Sequence, residues 1–574
     1  MSMPDISASE FATCDFDYLI VGGGTAGLVV ASRLTEDPSI TVGVIEAGPP
    51  GFGDPLIDLP GRFGEAVHTK YDWEFETTVQ EGLGDRKLEW ARGKVLGGSS
   101  AINFFTWMRG NKQDYDSWEQ LGNKGWGWES MLDCSYFFFL CQLTKENLGI
   151  QRRSTFDGSN VGVWTGLTSV NSDTKRSYAG NEYYLLNASR ENFKVICDSI
   201  AREVILEPIN GQMTATGVRF ERAGSEYVAF VRKEVIVSCG SVQSPLILEL
   251  SGIGNPDILT AANIEVKIEN KNVGENLQDR LMVAMVYEID PGIPNADDLR
   301  ANQDLAAAAD EEYEEHRTGL RTILPCSFTY LPLSHFMRED EISRLATQVK
   351  DSWGAQANSP RNQALLEKLT SKEPLGQMEF VFDARNWYPV FGQEDGKQYG
   401  TMLQMLQYPF STGCLHIPPK PSGKARTTSD DKPIIDPKYY RGDGALDREI
   451  MAAGLKFGHK ITKTAPLCNF VKRRVFPPLA KDDEDNFFEY AKYHTISDWH
   501  PMGTCAMGGS EGSKYGVVDE RLKVYGTTNL RCIDASVMPV QISCHPQATV
   551  YAIAEKGASM ILEDLRMQAT DRNF

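Results

Sequence analysis

The sequence predicts a mixed α/β plus α+β architecture, with a Rossmann-like dinucleotide-binding domain intertwined with a domain built on an antiparallel sheet. Three observations carry that expectation. First, a β-branched and aromatic run at 16–21 leads into Gly22-Gly23-Gly24-Thr25-Ala26-Gly27, a helical stretch at 28–34 and an apolar run at 41–45 ending at Glu46. Strand, helix and strand in that order imply a parallel pair with a right-handed crossover. Second, segments 194–206, 216–221, 226–231 and 234–239 alternate in part and read as strands, before a helix at 245–250. Third, residues 378–407 are rich in large apolar side chains, among them Phe380, Phe382, Trp387, Tyr388, Phe391, Met402 and Met405, which suggests antiparallel strands of a different sheet.

Between these blocks the composition shifts near Pro291. Residues 297–316 are Ala- and acid-rich and read as an exposed helix, and 341–372 is a second polar, helical region. No repeat or flexible linker separates the blocks. The expected division is 1–290 for the first part of the dinucleotide domain, with pocket-rim segments near 60–180. It continues with 291–494 for the substrate domain and 495–574 for the C-terminal part of the dinucleotide domain.

The chain has 574 residues, 41% of them hydrophobic and 24% charged, which excludes disordered, collagen-like and coiled-coil classes. Lysine and arginine number 58 against 78 acids, a net charge of −20 that repels nucleic acid and anionic lipid. No apolar run approaches the ~18 residues that span a bilayer. The first 17 residues lack the basic and apolar regions of a secretory leader, so a cytoplasmic location is expected. Eleven cysteines, with no CxxC pair, argue against a disulfide framework or a structural zinc site, and no metal centre is expected.

In the first turn, Gly22 permits the tight bend, Gly24 lets backbone N–H groups approach a pyrophosphate, and Gly27 allows the helix to lie close to the strand. The helix N-terminus at Thr25 and Ala26 supplies partial positive charge. Glu46, 19 residues past Gly27, stands where an acid accepts ribose hydroxyls. These residues leave FAD and NAD undecided. A second small-residue loop follows at 92–103, Arg92-Gly93-Lys94-Val95-Leu96-Gly97-Gly98-Ser99-Ser100-Ala101-Ile102-Asn103. Four further stretches are Gly240-Ser241-Val242-Gln243-Ser244-Pro245 with Ser251-Gly252-Ile253-Gly254, Val273 to Asp279, Trp499-His500-Pro501-Met502-Gly503-Thr504, and Asp534-Ala535-Ser536 before His545-Pro546-Gln547. Together, in this order, they resemble the glucose–methanol–choline (GMC) flavoprotein oxidoreductases from residue 17 to about residue 562.

The resemblance implies the GMC fold and FAD. Carried over by position, Gly22, Gly24, Thr25, Ala26, Gly27 and Glu46 hold the adenosine and pyrophosphate. Val204 presents backbone to adenine. Arg92, Gly97, Ser99 and Asn103 line the flavin side, and Asp534, Ala535, Pro546, Gln547 and Thr549 complete the site. No histidine lies between Arg92 and Asn103, where some relatives tether the flavin, so non-covalent FAD is expected.

Of eight histidines, only His500 and His545 are each followed by proline beside the last flavin motif. Both match the family's catalytic pair. Histidine suits removal of an alcohol proton because its ordinary pKa, ~6.5, is close to working pH. The resemblance implies His500 as base, His545 as second partner of the substrate oxygen, and flavin as hydride acceptor. The expected reaction is oxidation of a primary, aromatic or hydrophobic alcohol to the aldehyde, with O2 or another acceptor; oligomeric state stays open. A non-redox lyase or cyclase of secondary metabolism is the alternative, and a flavin-retaining protein of little activity is a third reading.

Within the family, 103–107 and 375–380 resemble the formate oxidases, but those carry arginine at the second catalytic position where this chain has His545, which favours a neutral alcohol. The chain also departs from the family at 132–156, at Arg280 in place of a usual histidine, and at Thr412 in place of a usual arginine. The last two are expected to alter local packing.

Overall fold

The computed structural model describes residues 6–133, 157–292, 295–354, 359–388, 396–478 and 486–571. Residues 134–156 of the segment that departs from the family, and Phe391, lie outside them.

The strands Phe16–Val21 and Val42–Ile45 are buried at every position, as parallel strands covered on both faces must be. They pair in parallel, and Phe193–Ile196 extends the sheet beyond Val42–Ile45. On the other side of Phe16–Val21 runs a 13-residue strand, Ser225–Val237. Its C-terminal half belongs to the parallel sheet, where Leu530–Cys532 joins it. Its N-terminal half pairs antiparallel with Gln212–Arg222, which in turn pairs with Ser199–Ile209. The sequence suggested a break near residue 232, and the structure has none. It does break the expected 194–206 strand, at Asp198, whose φ of 51° turns the chain.

Thr25–Leu34 is the crossover helix. It lies so close to the first strand that a Cβ on Gly27 would sit 2.1 Å from the Gly22 carbonyl oxygen. The C-terminal helix, Gln547–Asp571, packs on the same helix, which returns the end of the chain to the first β-α-β unit.

The second sheet is antiparallel throughout, in the order Val471–Phe476, Leu281–Ile289, Gln398–Leu406, Met378–Asp383, Ser327–Leu331, Gly162–Thr165. Two of its strands come from before residue 291. Leu281–Ile289 is buried at all positions but one, and such a strand has the same composition in either sheet. The boundary placed by composition therefore falls after a strand of the second sheet. The acid-rich segment forms two helices, Ala296–Ala301 and Gln303–His316, with Tyr313 turned into the protein.

Candidate active site

One cavity of about 760 Å³ runs from the glycine turn, between the two sheets, to both proline-flanked histidines. Gly22 needs its φ of +100°, and a Cβ there would meet the Ser238 carbonyl oxygen at 2.5 Å. Glu46 holds the turn from beneath, accepting the Gly23 N–H at 2.8 Å and the Gly48 N–H at 2.7 Å. Burial pushes its carboxyl up to about 7 against those hydrogen bonds. Asp534 holds the turn of the next motif, accepting from the Gly240 N–H at 2.9 Å and the Ser244 hydroxyl at 2.6 Å.

Of the positions carried over for the cofactor, Gly22, Gly24, Thr25, Ala26, Glu46, Arg92, Ser99, Asn103, Asp534, Ala535, Pro546 and Gln547 line this cavity. Four do not. Gly27 and Gly97 are packing positions, Gly97 against the Tyr178 ring. Thr549 turns its hydroxyl to Tyr115, 2.8 Å away. Val204 corrects the expectation: it is buried behind the wall with its N–H on the Ser251 hydroxyl at 2.8 Å, and Ser199, Ile200 and Ala201 face the cavity instead. The expected strand is interrupted at Asp198, and it is the start of its second piece, Ser199–Ile209, that reaches the cavity. Arg92 lines the wall, but its guanidinium donates to the Ala91 and Trp499 carbonyls.

The cavity suits a dinucleotide. Gly24 has no atom closer than 3.8 Å to the place a Cβ would take, so ligand can approach its backbone. The Ser241 hydroxyl, buried in the same wall, has no hydrogen-bond partner among the described residues.

At the far end, Trp499 takes a left-handed φ of 54°, costly for a bulky residue. It is held by its indole N–H on the Glu89 carbonyl at 3.1 Å, its backbone N–H on the Ser497 hydroxyl at 2.8 Å, and the Arg92 contact. The next N–H, of His500, donates to Asp279 at 2.9 Å. This turn aims His500 at His545; the rings are perpendicular, with centroids 4.9 Å apart.

Each histidine has its own electrostatic partner. His500 Nδ1 lies 2.7 Å from Asp498 Oδ2 and 3.4 Å from Nη1 of Arg280. Asp498 Oδ2 makes no hydrogen bond among the described residues, so the group that meets Nδ1 along a hydrogen bond is the Arg280 guanidinium. Arg280 is fully buried and spends its other nitrogen on the Ile542 and Cys544 carbonyls. Burial first, then the Arg280 cation, hold His500 well below the ordinary histidine value. His545 Nε2 instead donates to Glu379 Oε1 at 3.1 Å, and Glu379 also accepts from Tyr330 at 2.6 Å and Gln407 at 3.1 Å. Burial opposes charge on His545, but the Glu379 carboxylate outweighs it and the net shift is upward.

Sequence reasoning missed Asp498 and Glu379 and gave Arg280 to packing. Signals existed: an acid two residues before His500, and an acid inside the buried run 378–383. Thr412 accepts from Arg361 at 2.8 Å. The remaining wall beside the histidines is apolar, with Phe104, Met282, Phe328, Val381, Trp387 and Leu403. Phe104 sits edge-on to both Trp387 and Trp499.

Residues 16–138 and 141–282 match the N-terminal domain of the GMC oxidoreductases, and 419–554 match the C-terminal domain. The chain belongs to the GMC oxidoreductase family. A dehydrogenase of Monascus purpureus is 32% identical over 98% of each chain. Among solved structures, an FAD-dependent oxidoreductase of Chaetomium thermophilum superposes with a TM-score of 0.84 at 25% identity, covering 96% of this chain and 100% of its own. A formate oxidase gives 0.81 at 26% identity (96% and 98%), and a fungal aryl-alcohol oxidase 0.78 at 25% (96% and 99%). As a GMC oxidoreductase the protein uses FAD, which the residues lining the cavity described above would hold. Its other partners are a small-molecule substrate and an electron acceptor. Among the described residues no helix is long and apolar enough to cross a membrane.

Proposed function

We propose that this GMC oxidoreductase oxidises the CH–OH group of a primary, hydrophobic or aromatic alcohol to the aldehyde. The observation that carries the reading is the histidine pair: two adjacent rings on one cavity wall, one shifted down and its neighbour up. Titratable neighbours pushed apart in this way mark a base and an acid. FAD, when bound, supplies the hydride acceptor.

His500 is the base, because it faces the cavity and burial together with the Arg280 cation keeps its imidazole neutral. His545 stays cationic through Glu379 and stabilises negative charge as it develops on the substrate oxygen. Arg280 keeps His500 neutral by repulsion, so the base is ready without first losing a proton. The apolar wall receives the body of the alcohol and excludes water. An aryl-alcohol oxidase among the structural relatives agrees with a substrate of this kind. We also read the FAD as non-covalent, since the histidines lining the cavity are the pair assigned to acid–base work.

The test is anaerobic mixing with a panel of primary alcohols, with flavin absorbance as readout. Bleaching by aromatic or long-chain alcohols, with aldehyde formed in equal amount, is expected. Product formed while the flavin stays oxidised would replace this reading with the non-redox alternative, and retention of flavin after acid precipitation would refute non-covalent binding.

A further inference from the structure

Three side chains meet around His416: Cys414 on the same strand, and Glu249 and Glu275 from distant parts of the sequence. The short strand Cys414–His416 presents the ring, the Gly240–Leu250 helix contributes Glu249, and the loop before Arg280 contributes Glu275. Glu249 is fully buried. Its Oε1 lies 2.7 Å from His416 Nδ1, and its Oε2 accepts the Ile417 N–H at 2.8 Å. The carboxylate therefore fixes the ring and turns Nε2 away from the core, towards Glu275 Oε1 at 3.3 Å. The Cys414 sulfur completes a set in which the Cys414, His416 and Glu275 ligand atoms all lie within 4.8 Å of one another.

We propose that Cys414, His416 and Glu275 form a divalent-metal site of zinc type, with Glu249 as the outer carboxylate that orients the histidine. Histidines that bind metal ordinarily donate the other ring N–H to a carboxylate, as His416 does here. Zinc bonds of about 2.0–2.1 Å to nitrogen and oxygen in a tetrahedron place those atoms ~3.3 Å apart, the separation found between Nε2 and Oε1. A thiolate, an imidazole and a carboxylate are a zinc-like donor set, unlike the all-oxygen sets of calcium or magnesium. The Glu275 side chain is 45% exposed, which leaves it room to close on an ion and water room to take the fourth position. Binding releases the Nε2 proton and the thiol proton to solvent.

Without metal the ring is an imidazolium between two carboxylates. Burial opposes that charge, but Cys414, Glu249 and Glu275 raise its pKa to about 11. Such an ion pair accounts for the two acids and has no need of a thiol at ligand distance. A bound ion would tie the last turn of the Gly240–Leu250 helix to the loop leading into Arg280. The same helix carries Ser241, Leu246, Ile247 and Leu250 into the cavity wall, so the site braces the active centre and takes no part in its chemistry.

The FAD-loaded enzyme, stripped with chelator, is titrated with Zn2+ and separately with Co2+. Metal content after desalting, melting temperature and visible spectrum are recorded for wild type, Cys414→Ser and His416→Gln. One zinc per chain, a higher melting temperature with zinc, and tetrahedral cobalt bands to the red of the flavin are expected in wild type, with loss of all three in both variants. Where His416→Gln does not fold, Cys414→Ser, a near-isosteric change at a partly exposed position, decides alone. Absence of retained metal in wild type overturns the proposal and leaves an ion-paired histidine. Metal retained undiminished in Cys414→Ser overturns it equally, since the ion would then be bound elsewhere.

Discussion

Replacing Glu379 by glutamine should move the alkaline limb of the flavin-reduction profile to lower pH without unloading FAD. Glu379 is fully buried and its Oε1 accepts from His545 Nε2 at 3.1 Å. Glutamine keeps an oxygen for the Tyr330 hydroxyl but removes the negative charge that offsets the burial of imidazolium. A hydrogen bond to a charged group contributes about 1.5–3 kcal/mol. At 1.36 kcal/mol per pKa unit, that lowers the His545 pKa by ~1–2 units. The sign follows from the upward shift. The cation is fully present below the raised pKa and is lost as pH rises through it, so the variant loses it earlier. Between the two pKa values the variant should reduce its flavin ~10–100-fold more slowly than wild type. The assay is anaerobic single-turnover reduction by the best alcohol across pH, with FAD content as the control for folding. An alkaline limb in the same place for both proteins would show that His545's charge plays no part in the rate. The acid limb, set by His500, should lie well below the ordinary histidine value and stay fixed.

Four further outcomes are expected. His500→Ala should retain FAD and lose roughly 10²–10⁴ in reduction rate, measured by the same single-turnover assay. Asp498→Asn removes the carboxylate 2.7 Å from His500 Nδ1 and should lower the limiting rate in the same assay, with little change in the alcohol concentration at half-saturation. Gly27→Ala forces a methyl against the Gly22 carbonyl, so the purified protein should be colourless or insoluble; a yellow, stable variant would disprove the close packing. Burial raises Glu46 and Asp447 to about 7 and Asp279 to about 6, above their unfolded values. Their stabilising protons are present below about pH 4 and are lost as pH rises through 6 to 7. Thermal melts of the FAD-free protein should therefore decline from pH 5 to pH 8, and a flat or rising curve would contradict these shifts.

The sequence by itself determined whatever depends on neighbours along the chain. The glycine turn needs a positive φ at Gly22 and no side chain at Gly27, requirements written a few residues apart, so the β-α-β unit and its dinucleotide character could be read directly, while the choice of FAD came from the family resemblance. The same holds for His500 and His545, each locked in a motif beside proline. Strand ends were less legible. Alternation cannot reveal the left-handed turn at Asp198, which brings Ser199, Ile200 and Ala201 to the cavity wall while Val204 lies behind it. What separates the two histidines was decided only by the tertiary structure. Glu379 reaches His545 across 166 positions and Arg280 reaches His500 across 220, brought there by strands of the second sheet. Two chemically identical imidazoles are shifted in opposite directions because a buried carboxylate faces one and a buried guanidinium the other. Electrostatic interactions depend on distance through space in a low-dielectric interior, which separation along the chain does not encode.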